Sequence, residues 1–460
     1  MKRRVLRTLV FLWMLVLGSI HCTGFAETGY SSTYTIVNPE DDSNIRFGCT
    51  MAVNDEYIFV GSEYAERDGL MRVGKVYQFD HEGNPVQSLE STDWGKEERF
   101  GSRVIANEER VLVTESELGY AGKSTGQVYL FDSNGGFLTK IDSPEVDEWA
   151  EFGTATWLLS DKMLISEPKA DTEYGTQTGR VHVFDYSGNY VETHHSPEPK
   201  INSGFGFCIA ANEDIIVVSE IQGVLSEQVY VNGLVHVFDH DWNHLNTLTY
   251  SDPEVKNVFG WSLAVTDDHI VIGNIYAQVD DLENVGEVYI YSVSGEHVNT
   301  IQPPSSAAGT YFGECLLVHE DALVVGTPKD DSHSFDSGKV YIYSMEGTLL
   351  TELESPDVNA KGFFGDSIAA VDDKIIVGAS GENKVYVFSK GASSSETTRT
   401  EETVIEEAAS EEEQTQGIPG FPVVAVSTGM MIIILWFRKS SGNSLSRVNS
   451  MQVRTQVNFF

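Results

Sequence analysis

The sequence predicts an all-β fold, a seven-bladed β-propeller, and three observations carry that prediction. A Phe-Gly pair recurs seven times at intervals of 52–54 residues. Each pair opens the same succession of short β-branched runs and tight turns. The last repeat lacks its final strand, and a matching strand stands alone before the first repeat. Units of this length bury a core only by stacking on their neighbours, which is the logic of a propeller.

The repeat starts at Phe47-Gly48, Phe100-Gly101, Phe152-Gly153, Phe205-Gly206, Phe259-Gly260, Phe312-Gly313 and Phe364-Gly365. Glycine lets the chain turn into the innermost strand, and phenylalanine packs between blades. A short apolar strand follows, such as Leu263–Val265 or Ile368–Val371, and then a turn such as Asn54-Asp55 or Asp372-Asp373. Asn and Asp suit such turns because their side chains bond the local backbone. The second strand is a β-branched run, for example Ile215–Val218 or Leu323–Val325. The third is the most regular: Lys75–Phe79, Gln127–Phe131, Arg180–Phe184, Leu234–Phe238, Glu287–Tyr291, Lys339–Tyr343 and Lys384–Phe388. Its alternation marks a strand with two unlike faces. A glycine turn leads into a fourth strand, as in Val298–Ile301 or Leu349–Leu353. The seventh repeat stops at Ser389, so Thr33–Asn38 is expected to supply its outer strand and close the ring. Closure covers edges that an open array would leave unpaired.

Both ends of the chain read as membrane addresses. Lys2, Arg3 and Arg4, an apolar run and small residues at Gly24 and Ala26 predict a signal peptide over 1–26. The propeller is expected over 27–390, and a Ser/Thr/Glu stalk too polar to fold over 391–417. An apolar segment at 418–437 predicts a transmembrane helix, followed by Arg438, Lys439 and a tail to 460. Basic residues favour the cytoplasmic side, so the propeller is expected outside the cell membrane and the short tail inside.

The 69 acidic residues outnumber the 30 basic ones, a formal net charge of −39. Such a chain repels phosphate backbones, and nucleic acid is not an expected partner. Cys22 lies in the export segment, leaving Cys49, Cys208 and Cys315. An odd count argues against a disulfide framework. Cys208 and Cys315 share a repeat position with Ala155, Ser262 and Ser367, a slot for small residues near the ring centre. His182 and His236 replace tyrosines of other blades and read as packing or edge residues.

The sixth repeat runs Phe312-Gly313, then Val325-Gly326-Thr327-Pro328, then Gly338-Lys339-Val340-Tyr341-Ile342-Tyr343. This pattern resembles the FG-GAP repeats of integrin α-chain propellers and of many prokaryotic surface proteins. The resemblance covers Thr33 to Ser389 and implies adhesion or ligand binding at a cell surface. Many such repeats carry an Asp/Asn-rich calcium loop between the first two strands. The turns here are only two or three residues long, whereas calcium takes about 6–8 oxygen ligands, so no metal site and no cofactor is expected. Ile418-Pro419-Gly420-Phe421 resembles the Pro-Gly-Phe signal of archaeal surface proteins, which implies an archaeal origin. The tail after Lys439 departs from that signal and favours an ordinary span.

Candidate binding residues gather in the loops after the second strands: Tyr64, Tyr120, Tyr174, Tyr230, Tyr276 and Phe335, one aromatic per blade in the first six. Trp94 and Trp149 precede two neighbouring Phe-Gly pairs, and their side chains are expected to form one platform on that face. Loops on a rigid scaffold are the usual place for recognition, and Trp and Tyr are favoured anchors. Asp171, Glu173, Asp280, Asp281, Asp330, Asp331 and Asp336 read as a solvated acidic rim. Zinc-helix, paired-cysteine and phosphate-loop motifs are absent from the sequence. The expected function is therefore a non-catalytic binding or adhesion module that presents a loop face to an extracellular protein or glycan. The alternatives are a structural surface-coat protein and an extracellular hydrolase of propeller fold.

Overall fold

The computed structural model describes residues 29–40, 45–92, 98–115, 126–221, 233–250 and 257–391. The signal peptide, the membrane helix, the tail and all of the stalk but Gly391 lie outside the described residues.

Each second strand is a run of buried, mostly apolar residues, and such a run has no solvent face. Along Tyr57–Ser62, Ile58 and Val60 pack towards the last blade, while Phe59 packs towards the second. Apolar clusters of this kind fill the gap between every pair of adjacent blades, so the core lies between sheets rather than inside any one of them. The described residues form seven antiparallel four-stranded sheets. Blade 1, for example, runs Phe47–Val53, Tyr57–Ser62, Lys75–Asp80 and Pro85–Leu89. The first strand of every blade touches those of both neighbours, and this closes the inner ring.

The phenylalanine of each pair stands against two aromatic rings of its own third strand. Phe47 meets Tyr77 and Phe79 edge-on at 5.7 and 6.0 Å, and Phe312 meets Tyr341 and Tyr343 at 5.8 and 6.1 Å. These geometries exploit the ring quadrupole beyond simple burial. They explain why the pair and the regular third strand recur together.

The ring closes as expected. Tyr30–Val37 pairs antiparallel with Lys384–Lys390 and completes the seventh blade. It begins three residues earlier than the sequence indicated: Tyr30, Ser31 and Ser32 pair with Lys390, Ser389 and Phe388 on the far side of a bulge at Thr33, whose hydroxyl donates to the Val387 carbonyl at 2.9 Å. On the inside of the same seam, Ser367 donates to the Gly48 carbonyl at 2.7 Å. Ser262 makes the equivalent bond to Gly313 at 2.6 Å between blades 5 and 6. A Cβ on Gly378 would stand 2.1 Å from that Gly48 oxygen, so the neighbour's backbone itself demands glycine there.

Buried polar groups cap the second strands. Glu115 and Glu167 end this strand in blades 2 and 3 and Glu220 is its last residue but one in blade 4, at the position where other blades carry Ser62, Asn274, Thr327 or Ala379. His182 bonds Glu167 at 3.1 Å and Thr193 at 2.8 Å; His236 bonds Glu220 at 2.9 Å and Thr247 at 3.0 Å. Both histidines are fully buried, so the edge position is corrected: they are partners of buried carboxylates. Burial works to raise the Glu167 carboxyl, but bonds from His182 and the Arg180 guanidinium at 2.5 Å hold it below its ordinary value. Glu115 has weaker compensation, from Tyr129, Lys140 and Ser91. Burial, then the Glu98 carboxylate, push it up to about 8.

Two outcomes follow from this packing. Gly378→Ala should cost about 2 kcal/mol or more by urea denaturation, because backbone at the seam must move. Gly29→Ala, with open space around its Cβ, should cost little. Glu115 titrates higher in the fold than its ordinary 4.5. The stability it contributes is therefore complete below that value and is lost as pH rises through about 8. Glu115→Gln should change stability little at pH 5 and raise it at pH 9, by on the order of 1–3 kcal/mol in denaturation midpoints at the two pH values.

Candidate functional site: the Phe-Gly face

Strand direction decides which loops share a face. Phe47 pairs with Ser62, and Ser62 with Lys75, so each Phe-Gly entry lies beside the loop joining the second and third strands. Bridges from Gly74 to Phe100, Gly179 to Phe205 and Gly338 to Phe364 tie the end of that loop to the next blade. The opposite face carries the first hairpin turns, two or three residues long, and the turns into the fourth strand. There Asp80 accepts backbone N–H bonds from Glu82 and Asn84 at 3.1 and 2.8 Å. The Asn84 side chain and these amides hold its carboxyl below the usual range.

Several of the acidic residues expected to form a rim are instead spent inside the loops. Asp171 accepts from the Gln177 N–H at 2.9 Å, Asp330 from Ser332 at 2.8 Å, and Asp331 from Asp336 at 2.6 Å. Among the described residues, no three His, Cys, Asp or Glu side chains converge where a metal ion could be held. Cys49, Cys208 and Cys315 are free thiols, and burial pushes Cys49 and Cys315 up to about 12. Thiols of that kind are packing groups rather than nucleophiles.

Three repeat positions write the chemistry of this face. One is the residue before the pair, held in the left-handed region at Arg46, Arg99, Glu151 and Tyr311 with φ of 55–58°. Another is the second residue after the phenylalanine: Cys49, Thr154, Phe207, Trp261, Glu314 and Asp366 are examples. The third is two residues before the loop glycine, left-handed at Arg72, Gln177, Asn284 and Asp336.

The result differs around the ring. Over blades 1 and 2, the guanidinium groups of Arg72, Arg99 and Arg46 surround the Tyr64 ring at 4.8, 5.1 and 5.7 Å from its centroid. Burial opposes the Arg46 charge, but Glu63 at 2.6 Å and Asp366 at 3.2 Å hold it protonated more firmly than an exposed arginine. Over blades 3 to 5, Phe207 and Trp261 lie 5.2 Å apart and line a recess with Thr154, Gln177 and Asn202. Tyr276 and Tyr311 extend this aromatic patch at 5.8 Å, and the Lys329 ammonium sits 4.3 Å from the Tyr311 ring. In blade 6, burial pushes the Glu314 carboxyl up to about 7 against the pull of Lys329.

The residues singled out from the sequence divide into two groups. Trp149, Tyr174 and Phe335 are exposed, at 51%, 50% and 59%. Tyr174 is edge-on to His195 at 5.3 Å, and Lys361 lies 6.0 Å from the Phe335 ring. Tyr64 and Tyr276 are half-buried, the first among arginines and the second in the apolar cluster of Ile221, Val258 and Ile275. Trp94, Tyr120 and Tyr230 lie outside the described residues, and with Trp94 goes the expected two-tryptophan platform. Phe207, Trp261 and Tyr311 were missed. Their signal was available, because they flank the Phe-Gly pair at fixed offsets where other blades carry small or polar residues.

Two stretches, residues 242–291 and 296–343, match the family model described as FG-GAP repeat. No curated protein matches the chain. Among solved structures, the crystal structure of Chaetomium thermophilum Raptor superposes with a TM-score of 0.52 at 10% identity. That likeness covers 79% of this chain and 29% of that one, so the chain spans less than a third of Raptor, and at this identity it shows fold alone. The sheet topology makes the chain a seven-bladed β-propeller, and two of its stretches, 242–291 and 296–343, are similar to FG-GAP repeats.

Proposed function

We propose that this chain is a non-catalytic binding module of the cell surface, and that its Phe-Gly face meets an extracellular protein or glycan. The observation that carries this reading is the polarity of the ring. Lys390, the last residue of the third strand of blade 7, donates its N–H to Asp373 in the first hairpin turn of that blade. The chain therefore leaves the propeller on the clipped-turn face, opposite the exposed Trp149, Tyr174 and Phe335. Rigid loops bearing exposed aromatics are what a recognition surface needs.

The second reading, a surface coat, has one observation in its favour. The outer strands of blades 1 to 6 each expose an aliphatic side chain: Val86, Leu138, Val191, Leu245, Val298 and Leu350. A coat would use this girdle for sideways contacts, and would form ordered arrays that Leu138→Ser with Leu245→Ser abolishes. Single exposed aliphatics are common, so the face reading leads.

The deciding measurement is binding of the full-length chain to beads coated with extracellular proteins or with glycans. Trp149→Ala with Phe335→Ala should weaken capture by about tenfold or more, since anchor aromatics typically contribute ~2 kcal/mol, and should leave the melting temperature unchanged. Asp267→Ala, on the clipped-turn face, should have no effect. Equal capture by all three proteins would refute the face assignment.

A further inference from the structure

The recess over blades 3 to 5 has a volume of about 200 Å3 and is lined on one side by Phe207 and Trp261. Their rings are inclined at 47° with centroids 5.2 Å apart, and both are half-buried, so part of each stays open to a ligand. Gln177 and Asn202 line the same recess, and neither side-chain amide bonds any described residue; their bonds run through the backbone, the two N–H groups to Asp171 and Thr176 and the Gln177 carbonyl from Gly204. Glu151 and Lys169 complete the lining as an ion pair at 2.6 Å.

Three ligand classes compete for such a site, and the donor set separates them. A simple ion gains little, because the two charges already neutralise each other. An aromatic side chain from a partner protein would cover the rings, but would strip water from two amides and give them nothing in return. A pyranose ring answers both demands. Its C–H face covers an aromatic ring, while its hydroxyls both donate to and accept from amides, a carboxylate and an ammonium. Size agrees: pockets for drug-sized ligands run roughly 300–1,000 Å3, so this one suits a single ring.

We propose that this recess receives one hexopyranose residue of a glycan, with its apolar face on Trp261 and its hydroxyls on Gln177 and Asn202. The proposal rests on the Phe-Gly face being the binding surface and narrows the ligand there to a sugar.

The test uses the full-length chain in a sugar-free detergent. Saturation-transfer NMR is run with methyl glucoside, galactoside, mannoside and N-acetylglucosaminide, with indole and p-cresol as aromatic probes. At least one hexoside should bind in the millimolar range, with strongest saturation at its ring C–H protons. Trp261→Leu should weaken it by about tenfold and Gln177→Ala by several-fold. Gln177 is in a surface loop, so that variant carries the test should Trp261→Leu fold poorly. Silence from every hexoside, binding of the aromatic probes alone, or hexoside signals unchanged in Gln177→Ala would each overturn the proposal. If hexosides fail while bead capture still depends on Trp149 and Phe335, the sugar assignment falls and the face reading stands.

Discussion

Every blade of this ring has two apolar faces, and only another blade can cover each of them. Ile58 and Val60 point one way from a single strand, and Phe59 points the other. A blade at the end of an open array would leave one such face in water, at ~25 cal/mol for each Å2. The chain meets this demand by borrowing its first strand for its last blade, so the two ends of the domain are joined by a full hydrogen-bonded ladder. Close approach at the centre follows from the same stacking. Gly61, Gly273, Gly326 and Gly378 each stand where the carbonyl of the next blade's Phe-Gly glycine comes closest. In blades 2 to 4 this position is Thr114, Ser166 or Ser219, and the side chain rests instead on the glycine of the following pair.

Because stability lives between blades, residues at the loop ends are released from it. The same left-handed position carries Arg72, Gln177, Asn284 or Asp336 in different blades without altering the turn. Chemistry on the Phe-Gly face can therefore change from one sector to the next while the scaffold is held constant. Arginines crowd Tyr64 in one sector, and aromatic rings line a recess in another. In a third, the Glu314 carboxyl is raised by burial. The opposite face has no comparable freedom, since its turns are cut to the length that the hairpins require.

This division also explains what was legible in the sequence. Periodicity exposed the architecture because each repeat obeys the same burial rule, and the missing fourth strand exposed the closure. The third-strand motif was readable for the same reason: its two aromatics grip the phenylalanine of the pair. The candidate site was read less well. Tyr64 and Trp149 look alike in sequence, yet one is enclosed by guanidinium groups and the other stands half in water. Phe207 sits on an inner strand and Trp261 two residues before one, where an aromatic ordinarily means core, and they become a surface feature only through the neighbour's loop. His182 and His236 were readable as non-ligands but not as carboxylate partners, because Glu167 and Glu220 lie 15 and 16 residues away and meet them only through pairing of the second and third strands.

The buried carboxylates show how far such pairing can substitute for a hydrophobic end to a strand. Glu167 is matched by Arg180 and His182, two donors reaching it from one neighbouring strand. Glu220 keeps the histidine but loses the arginine, which becomes Leu234. Glu115 faces Gln127 and Tyr129 instead, and burial and the Glu98 carboxylate outweigh Tyr129, Lys140 and Ser91, so its carboxyl takes up a proton well above the usual range. Neutral or ionised, each glutamate lies at or next to the end of its strand, directly beneath the loops of the Phe-Gly face. The three consecutive blades that carry them span the strands from which the loops on one side of the recess emerge. A polar layer at that depth fixes strand ends by directional bonds where apolar contact would let them slide. The loops that hold Gln177 and Lys169 thereby inherit a base set by hydrogen bonds, which is the rigidity a small recess needs to keep its shape while empty.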